Sequence, residues 1–272
     1  SQNYLKFRNT ARYCLGNLDG FDPDRLVKPG EMQELDRWAV TKLNALIEKC
    51  FAAYGEYEFL VVTHAVNDFC VVDMSNFYLD VIKDRLYCDE KDGALRRSAQ
   101  TALYLILDAM TRIMAPILCF TCDEIWQAMP HRQGDDPRNV LFNDMHQPFA
   151  DYALDEAAMA RWAAVEALRD KVNSALEAAR GEKKIGKSLE AAVTVTVPQE
   201  DAWMAEAGDL ADWLIVSQVT VKTGSEAAVE VARAAGGKCE RCWKILPSVG
   251  SDPDHPTLCP RCAAAVKNLP QF

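Results

Sequence analysis

Two pairs of closely spaced cysteines are the residues of this chain best suited to chemistry. Cys239 and Cys242 form one C-x-x-C pair, and after sixteen intervening residues Cys259 and Cys262 form the second. Each pair directs two thiolates toward one point, so two pairs complete a tetrahedral zinc site. Four protein ligands leave no position for water or substrate. We therefore expect one structural Zn²⁺ and no catalytic metal.

Basic residues surround these pairs and have two possible uses. They either offset the negative charge of the thiolates or meet phosphate groups, and the spacing alone leaves both open. These residues are Lys238, Arg241, Lys244 and Arg261. Trp243 directly follows the first pair. Its ring either packs against the zinc module or stacks on an unstacked RNA base.

A third C-x-x-C pair, Cys119 and Cys122, has the spacing of thiol oxidoreductases. Such a motif is expected beside a βαβ pattern, but here it lies in a helical stretch after Pro116. We therefore expect both cysteines to be buried in the core. A thiol oxidoreductase is kept as a further alternative, which predicts fast alkylation of both thiols in the native protein.

Positive charge is concentrated locally in a chain of net charge −10. The net charge argues against a nucleic-acid partner only on average, because an acidic protein can still present a basic face. Tyr4, Arg8 and Arg12 are four residues apart and share one face of a helix, which suits RNA contact, with a solvated surface covering the bundle as the alternative. Three further candidate phosphate contacts, for which an internal ion pair or a solvated loop is the alternative, are Lys83, Arg85 and Lys187.

The spacing of apolar residues predicts consecutive helices in the first half of the chain. The predicted helices cover 1–16, 35–54, 58–88, 94–114 and a shorter stretch from Pro116 through Trp126. Short links between them predict an antiparallel bundle. Proline, glycine and aspartate then predict an irregular connection.

The second half reads as a small α+β unit followed by a tail. A long helix is predicted from an N-cap at Asp155 to Gly181, and alternating residues predict a strand at 193–197. Shorter strands are predicted at 214–216, 219–221 and 229–231. The tail has few large apolar residues, so it needs the metal to fold.

The predicted fold is mainly α: an antiparallel helical bundle, a small α+β unit and a C-terminal zinc-ribbon-like module with four cysteine ligands. The predicted boundaries are 1–130 for the bundle, 131–153 for an irregular linker, 154–235 for the α+β domain and 236–272 for the zinc module. No apolar run is long enough for a membrane helix, and the first residues are too charged for a signal peptide. A cytoplasmic protein without membrane contact is expected.

Several stretches resemble, in the same order, those of bacterial isoleucyl-tRNA synthetases of class I. They are YLKFRNTARYCLGNL at 4–18, NFYLDVIKDRLY at 76–87, MAPILCFTCDEIW at 114–126, GKSLEA at 186–191, and KCERCW with LCPRC at 238–243 and 258–262. The zinc tail separates the chain from the valyl and leucyl relatives, which share the helical bundle. Cys119 and Cys122 depart from the family, which more often has proline and a small residue there.

The resemblance implies the C-terminal region of the enzyme, made of the anticodon-binding domain and the zinc tail. The HIGH and KMSKS motifs of ATP-dependent activation are missing from this sequence. The parent protein is therefore expected to ligate isoleucine to tRNA(Ile) with ATP, whereas this chain alone is expected to be inactive. The implied partners are the anticodon stem-loop and, in cis, the catalytic and editing domains of a monomeric synthetase.

The resemblance also implies roles for the candidate residues. Expected backbone phosphate contacts are Arg8, Arg12, Lys83, Arg85 and Lys187, and Tyr4 shares the face of the first two. Arg241 and Trp243 are expected to contact unstacked loop bases. The alternative function is a zinc-ribbon scaffold for protein interaction without RNA binding, which charge removal at Arg8 and Arg12 would distinguish.

Overall fold

The computed structural model describes residues 2–269 of the chain. Within them, residues 2–86 and 91–155 form a helical unit, and residues 87–90 and 156–269 form a second unit. The division differs from the predicted boundaries in three places. Over the described residues, the predicted α+β domain and the predicted zinc module belong to one unit. The predicted linker, 131–153, lies within the helical unit. Residues 87–90, which the sequence places inside the bundle, belong to the second unit.

The helices of the first unit follow the predicted order. They are α1 (Gln2–Gly16), α2 (Glu34–Gly55), α3 (Phe59–Asp68), α4 (Leu79–Val81), α5 (Lys83–Cys88), α6 (Ala94–Met114) and α7 (Cys119–Ala128). The single helix predicted over 58–88 was wrong, because a π-helical segment, Phe69–Tyr78, separates α3 from α4. A π-helix has wider turns than an α-helix. In this segment Cys70, Met74 and Tyr78, which are four residues apart, are all buried.

The core of the helical unit is centred on α6. Every residue from Ser98 to Met114 is buried, including polar ones. The segment 131–153 packs on this core instead of spanning open space: the indole Nε1 of Trp126 donates to the carbonyl of Asp136 over 3.1 Å. His146 Nε2 lies 2.6 Å from the buried Asp108 carboxylate. These contacts explain why the predicted linker belongs to the helical unit.

The second unit places one long helix on a three-stranded sheet. Its elements are α8 (Glu156–Gly181), β1 (Ala191–Val197), α9 (Leu210–Trp213), β2 (Gln218–Thr223), β3 (Ala228–Arg233), β4 (Gly237–Lys238), β5 (Ile245–Leu246) and α10 (Pro260–Lys267). The strand order is β2-β1-β3, with β1 parallel to β2 and antiparallel to β3. Alternate residues of β1 are buried, which confirms its predicted period of two.

The strand predicted at 214–216 is absent, and this prediction was wrong. These residues close the end of α9: the N–H of Val216 donates to the carbonyl of Ala211 over 3.0 Å, and Ile215 has a φ of 54°. Leu214 and Val216 are buried, whereas Ile215 between them is only partly buried. This alternation resembles that of a strand, although the residues form a turn. No helix within residues 2–269 is both long and apolar enough to cross a membrane.

Candidate metal centre and nucleic-acid interface

The four predicted zinc ligands come together at one point of the second unit. The β4–β5 hairpin carries Cys239 and Cys242, while Cys259 precedes α10 and Cys262 lies in its first turn. All four side chains are buried, and their Sγ atoms lie within 4.8 Å of one another. The hairpin and the helix therefore supply one C-x-x-C pair each.

The sulfur geometry fits a tetrahedral zinc ion, and none of the four cysteines forms a disulfide. Zn–S bonds of about 2.3 Å place neighbouring sulfurs about 3.8 Å apart, whereas a disulfide needs about 2.05 Å. The Sγ atoms of Cys242 and Cys259 are 3.9 Å apart. These cysteines thus form a site for one structural Zn²⁺, with no open coordination position.

The surroundings of the four sulfurs favour a bound cation, because a cation stabilises thiolates that would otherwise repel one another. Burial alone would raise the pKa of Cys239, but backbone N–H groups, among them that of Cys259 at 3.3 Å, lower it to about 6. Burial raises the pKa of Cys242 and Cys262, and repulsion between the clustered thiolates adds to that effect. A divalent cation among the four sulfurs would offset this repulsion.

The backbone around the first cysteine pair is tightly constrained. The N–H of Trp243 donates to the carbonyl of Cys239, and the N–H of Cys239 donates to the carbonyl of Lys244, both over 2.9 Å. Trp243 adopts a φ of 65°, which is unusual for a bulky residue. Gly236 has a φ of 120°, and a Cβ there would lie 2.3 Å from a backbone atom of Leu246. Only glycine therefore fits at the start of β4.

A segment from early in the chain completes the zinc module, and sequence reasoning missed it. Cys88 packs against the four zinc cysteines, and the Arg241 guanidinium donates to the Cys88 carbonyl. Two further contacts join Arg261 to Asp89 at 3.8 Å and Asn268 to Glu90 at 2.6 Å. Because these residues are far apart in sequence, no local pattern could have revealed the contact.

Three of the four cations around the cysteines hold partners that neither of the two predicted uses includes, and phosphate contact stays a prediction for Lys238. Lys244 forms an ion pair with Asp212, and Arg241 and Arg261 engage the segment 87–90. Lys238 is exposed and lines a cleft of about 280 Å³. The cleft also contains Lys187, whose Nζ lies 5.6 Å from the centroid of the Trp243 ring. Trp243 is 57% exposed, so its ring is accessible and not packed within the module.

In the helical unit, α1 presents the predicted aromatic and basic face. Arg8 and Arg12 are exposed, and within residues 2–269 neither forms an ion pair. Tyr4 is 38% exposed, and its hydroxyl lies 3.4 Å from Oγ1 of Thr121. The face is therefore accessible, with Tyr4 held at one end.

The two cations of α5 have different environments. Arg85 donates two hydrogen bonds to the fully buried carboxylate of Asp36, over 2.9 and 3.0 Å. The hydroxyls of Tyr78 and Ser98 donate to the same carboxylate. Lys83, in contrast, is exposed and pairs with Asp80 at 2.8 Å. The geometry supports the ion-pair alternative for Arg85, and its phosphate contact stays a prediction.

The third cysteine pair is only half buried, which corrects the expectation that both thiols lie in the core. Cys119 is exposed at the start of α7, whereas Cys122 is buried with Ile125 and Trp126 on the inward face. Burial raises the pKa of Cys122 to about 12. A redox nucleophile needs the opposite shift.

Comparisons with known proteins agree with this arrangement. A family model described as the anticodon-binding domain of tRNA ligase matches residues 36–195, and a model of the zinc finger found in FPG and IleRS matches 236–265. The chain is 47% identical to an isoleucine–tRNA ligase of Geobacter sulfurreducens and 45% identical to those of Syntrophotalea carbinolica and Geobacillus thermodenitrificans. Each match covers 98% of this chain and 30% of the relative.

The chain thus spans about 30% of the length of the curated relatives that it matches. The matches confirm the predicted resemblance to isoleucyl-tRNA synthetases, and the zinc-finger match coincides with the four-cysteine site. The anticodon-binding model extends over most of the helical unit and into β1. This chain belongs to the family of anticodon-binding domains of tRNA ligases.

Proposed function

We propose that this chain binds the anticodon stem-loop of tRNA(Ile) as the C-terminal region of an isoleucine–tRNA ligase. The observation that carries the proposal is the joint occurrence, on one chain, of the matched anticodon-binding domain and a four-cysteine module with an exposed Trp243 under Lys187. Single-stranded RNA loops are recognised by stacking on aromatic side chains and by cations at the backbone. The module offers both groups on its surface.

The proposed contacts lie on both units. The exposed cations Arg8, Arg12, Lys83 and Lys187 would meet backbone phosphates, and Tyr4 would support the α1 face. Trp243 would stack on a loop base. Arg85 and Arg241 are weaker members of the set, because each already holds an intramolecular partner.

The proposal places the chemistry elsewhere in the parent protein. That protein would activate isoleucine with ATP and ligate it to tRNA(Ile), while this chain would act by binding alone, in cis with catalytic and editing domains. We further propose a monomer in the cytoplasm, where thiols stay reduced and available to zinc.

The test is fluorescence anisotropy with the full chain and two labelled RNA stem-loops. One carries an isoleucine anticodon, and the other differs only in its anticodon bases. We expect tighter binding of the first, with an affinity that falls as salt rises, because phosphate contacts release counterions. Equal affinity for the two stem-loops, or binding that ignores salt, would contradict the proposal.

A charge-removal variant separates the proposal from an interaction scaffold. Arg8→Gln with Arg12→Gln is expected to weaken stem-loop binding with helicity and zinc content unchanged, since both side chains are exposed. Arg138→Gln is a suitable control, because Arg138 is an exposed arginine of the same unit outside the proposed face. If the double variant binds RNA as well as the control does, the α1 face has no part in RNA binding.

A further inference from the structure

The cleft beside the zinc module has more cationic side chains than nearby carboxylates to neutralise them. Three cations line it, Arg180, Lys187 and Lys238, with Glu190 as the carboxylate among them. Arg180 is held by Glu177 and by the hydroxyl of Ser188 at 2.6 Å. Lys187 and Lys238 are exposed; the first lies over the Trp243 ring, and the second interacts with the Glu190 carboxylate. The cleft therefore has a surplus of positive charge on exposed ammonium groups.

Glu190 organises the loop that carries Lys187. Its Oε2 accepts the backbone N–H of Gly186 over 2.8 Å, and this carboxylate follows Lys187 by only three residues. The bond closes the loop between α8 and β1 on itself. The N–H of Gly186 and the charge of Lys187 are thereby held at one edge of the cleft.

Backbone strain is concentrated around this cleft. Of the four non-glycine residues with positive φ within residues 2–269, Trp243 and Ile215 line it, and Lys183 lies in the turn that leads to its loop. A β-branched or bulky residue with positive φ is a genuine outlier, and such strain is typical of ligand clamps. The Trp243 ring is exposed at this cleft and lies below Lys187.

We propose that Arg180, Lys187 and Lys238 form a subsite for one RNA backbone phosphate, and that Glu190 is the positioning residue that holds the Lys187 loop over it. The inference rests on the proposed function, since it assumes that RNA reaches this side of the zinc module. The volume of about 280 Å³ lies at the low end of small-ligand sites, which suits a single phosphodiester with part of its nucleotide. Lysine binds phosphate as a point charge, so Lys187 and Lys238, which line the same cleft, need no fixed relative orientation to share one phosphate.

The first experiment removes one phosphate charge of the RNA at a time. Each loop phosphodiester of the isoleucine stem-loop is replaced in turn by an uncharged methylphosphonate, and anisotropy measures the affinity of the full chain. In the wild type, one replacement is expected to cost about tenfold in affinity. In Lys238→Ala that cost becomes several-fold smaller, because one of the three partner charges is gone, while costs at other positions stay. Lys222→Ala, an exposed lysine of β2 outside the cleft, is the matched control.

Salt dependence shows whether the lysines share one phosphate. Lys187→Ala and Lys238→Ala should each lower the salt slope by less than one contact, because other cations still face the shared phosphate, and the double variant should lower it by at most about one contact. Two separate phosphates would instead lower it by about one contact in each single variant and by about two in the double variant. Zinc content must stay at one ion per chain in every variant, because Lys238 precedes a ligand.

The second experiment separates positioning by Glu190 from simple repulsion. Glu190→Gln keeps an oxygen that accepts the Gly186 N–H, so it should bind the stem-loop as well as the wild type or a few-fold tighter. Glu190→Ala loses that bond, so it should bind about fivefold more weakly and lose the position-specific phosphate effect. Glu230→Gln, on the exposed surface of β3, controls for the change in net charge.

The outcomes separate this inference from the proposed function. Discrimination between anticodons with no Lys238-dependent phosphate overturns the subsite and leaves the function standing. Equal tightening by Glu190→Gln and Glu190→Ala overturns the positioning role, because Glu190 then acts only as a repelling charge. Failure of the wild type to discriminate between the two stem-loops counts against the proposed function itself, whatever the variants do.

Discussion

The helical unit and the zinc module reach a fixed structure by opposite means. The helical unit buries large side chains around α6, with Trp38, Trp126 and Tyr104 fully enclosed. In the module from Gly236 onward, the described buried side chains are four cysteines and two alanines, Ala263 and Ala265. One region therefore depends on apolar burial spread over many residues, and the other on a single ion.

The difference matters because both regions present candidate RNA contacts. Arg8 and Arg12 lie on α1, whose opposite face is buried in the core. The packing of this helix, and not a bound metal, therefore fixes their position. Trp243 owes its orientation to the hairpin between two zinc ligands. The proposed base stacking on Trp243 would thus be coupled to metal binding, whereas the proposed contacts of the α1 face would be independent of it.

Loss of zinc is expected to have the largest effect, because it should unfold the zinc module and not the helical unit. A structural zinc site with four cysteine ligands contributes about 10–16 kcal/mol of binding free energy. Within the described residues of the module, only Ala263 and Ala265 are buried besides the ligands, and Leu246, Val249 and Leu258 are partly buried against them. Cys262→Ser is expected to unfold residues 236–269 and to leave the helical unit folded. Amide hydrogen exchange by region, together with zinc content, checks this outcome.

Cys122→Ser is the matched control for that variant, because Cys122 is a buried cysteine of the helical unit. It should destabilise its own unit modestly and retain one zinc ion per chain. If Cys262→Ser leaves exchange in 236–269 unchanged, the module does not depend on its metal.

The second largest effect is expected at the buried ion pair of the helical unit. Asp36→Ala leaves the Arg85 guanidinium, whose side chain is only 15% exposed, without its carboxylate. Removing one partner of a buried pair costs about 3–5 kcal/mol. Urea denaturation of the variant should show this loss, while zinc content stays the same. A loss below about 1 kcal/mol would show that Arg85 finds water or another partner.

The contrast between the regions also explains what the sequence could predict. The zinc site is encoded in two C-x-x-C pairs, and each pair has the local spacing that directs two thiolates at one ion, so the four ligands and the metal were predicted from sequence. Helices such as α2, α6 and α8 were predicted because their apolar spacing is local. The π-helical segment was missed, since a slightly wider turn keeps the same residues buried.

Predictions failed where the deciding partner is distant in sequence. Nothing near Arg85 indicates that Asp36 will meet it, and nothing near Cys88 indicates that a module at the far end of the chain will enclose it. Cys119 was predicted to be buried because its neighbours are apolar, but the direction of α7 turns it outward. Tertiary geometry, and not local pattern, settles each of these cases.

A smaller effect is expected from acid on the helical unit. Burial alone would raise the pKa of Asp108, but the hydrogen bond and charge of His146 and those of Arg112 outweigh it, so the pKa lies below its ordinary value. The stabilisation is present above the ordinary aspartate pKa of about 3.9 and is lost as the pH falls through the lower, folded-state value. Each unit of pKa difference corresponds to about 1.4 kcal/mol.

Asp108→Asn isolates this contribution. The variant should lose part of the acid dependence of urea unfolding between about pH 5 and the lowest pH at which the protein folds, the range in which a paired aspartate titrates. Zinc release should occur at a higher pH than this transition, because thiolates take up protons before a depressed carboxylate does. An unchanged pH profile would mean that other carboxylates dominate acid unfolding.

The smallest effect on stability is expected at the exposed ion pair of α5, two residues from the buried one. Lys83 and Asp80 are half and one-third exposed, and pairs of this kind contribute about 0–1 kcal/mol. Lys83→Ala should therefore leave urea unfolding nearly unchanged.

If Lys83 meets a phosphate as proposed, the same variant should weaken stem-loop binding and lower its salt slope by about one contact. Asp80→Ala removes the same ion pair but keeps the lysine, so it should match Lys83→Ala in stability and differ from it in RNA binding. Equal RNA affinity for the two variants would show that Lys83 makes no phosphate contact and that α5 has only a structural role.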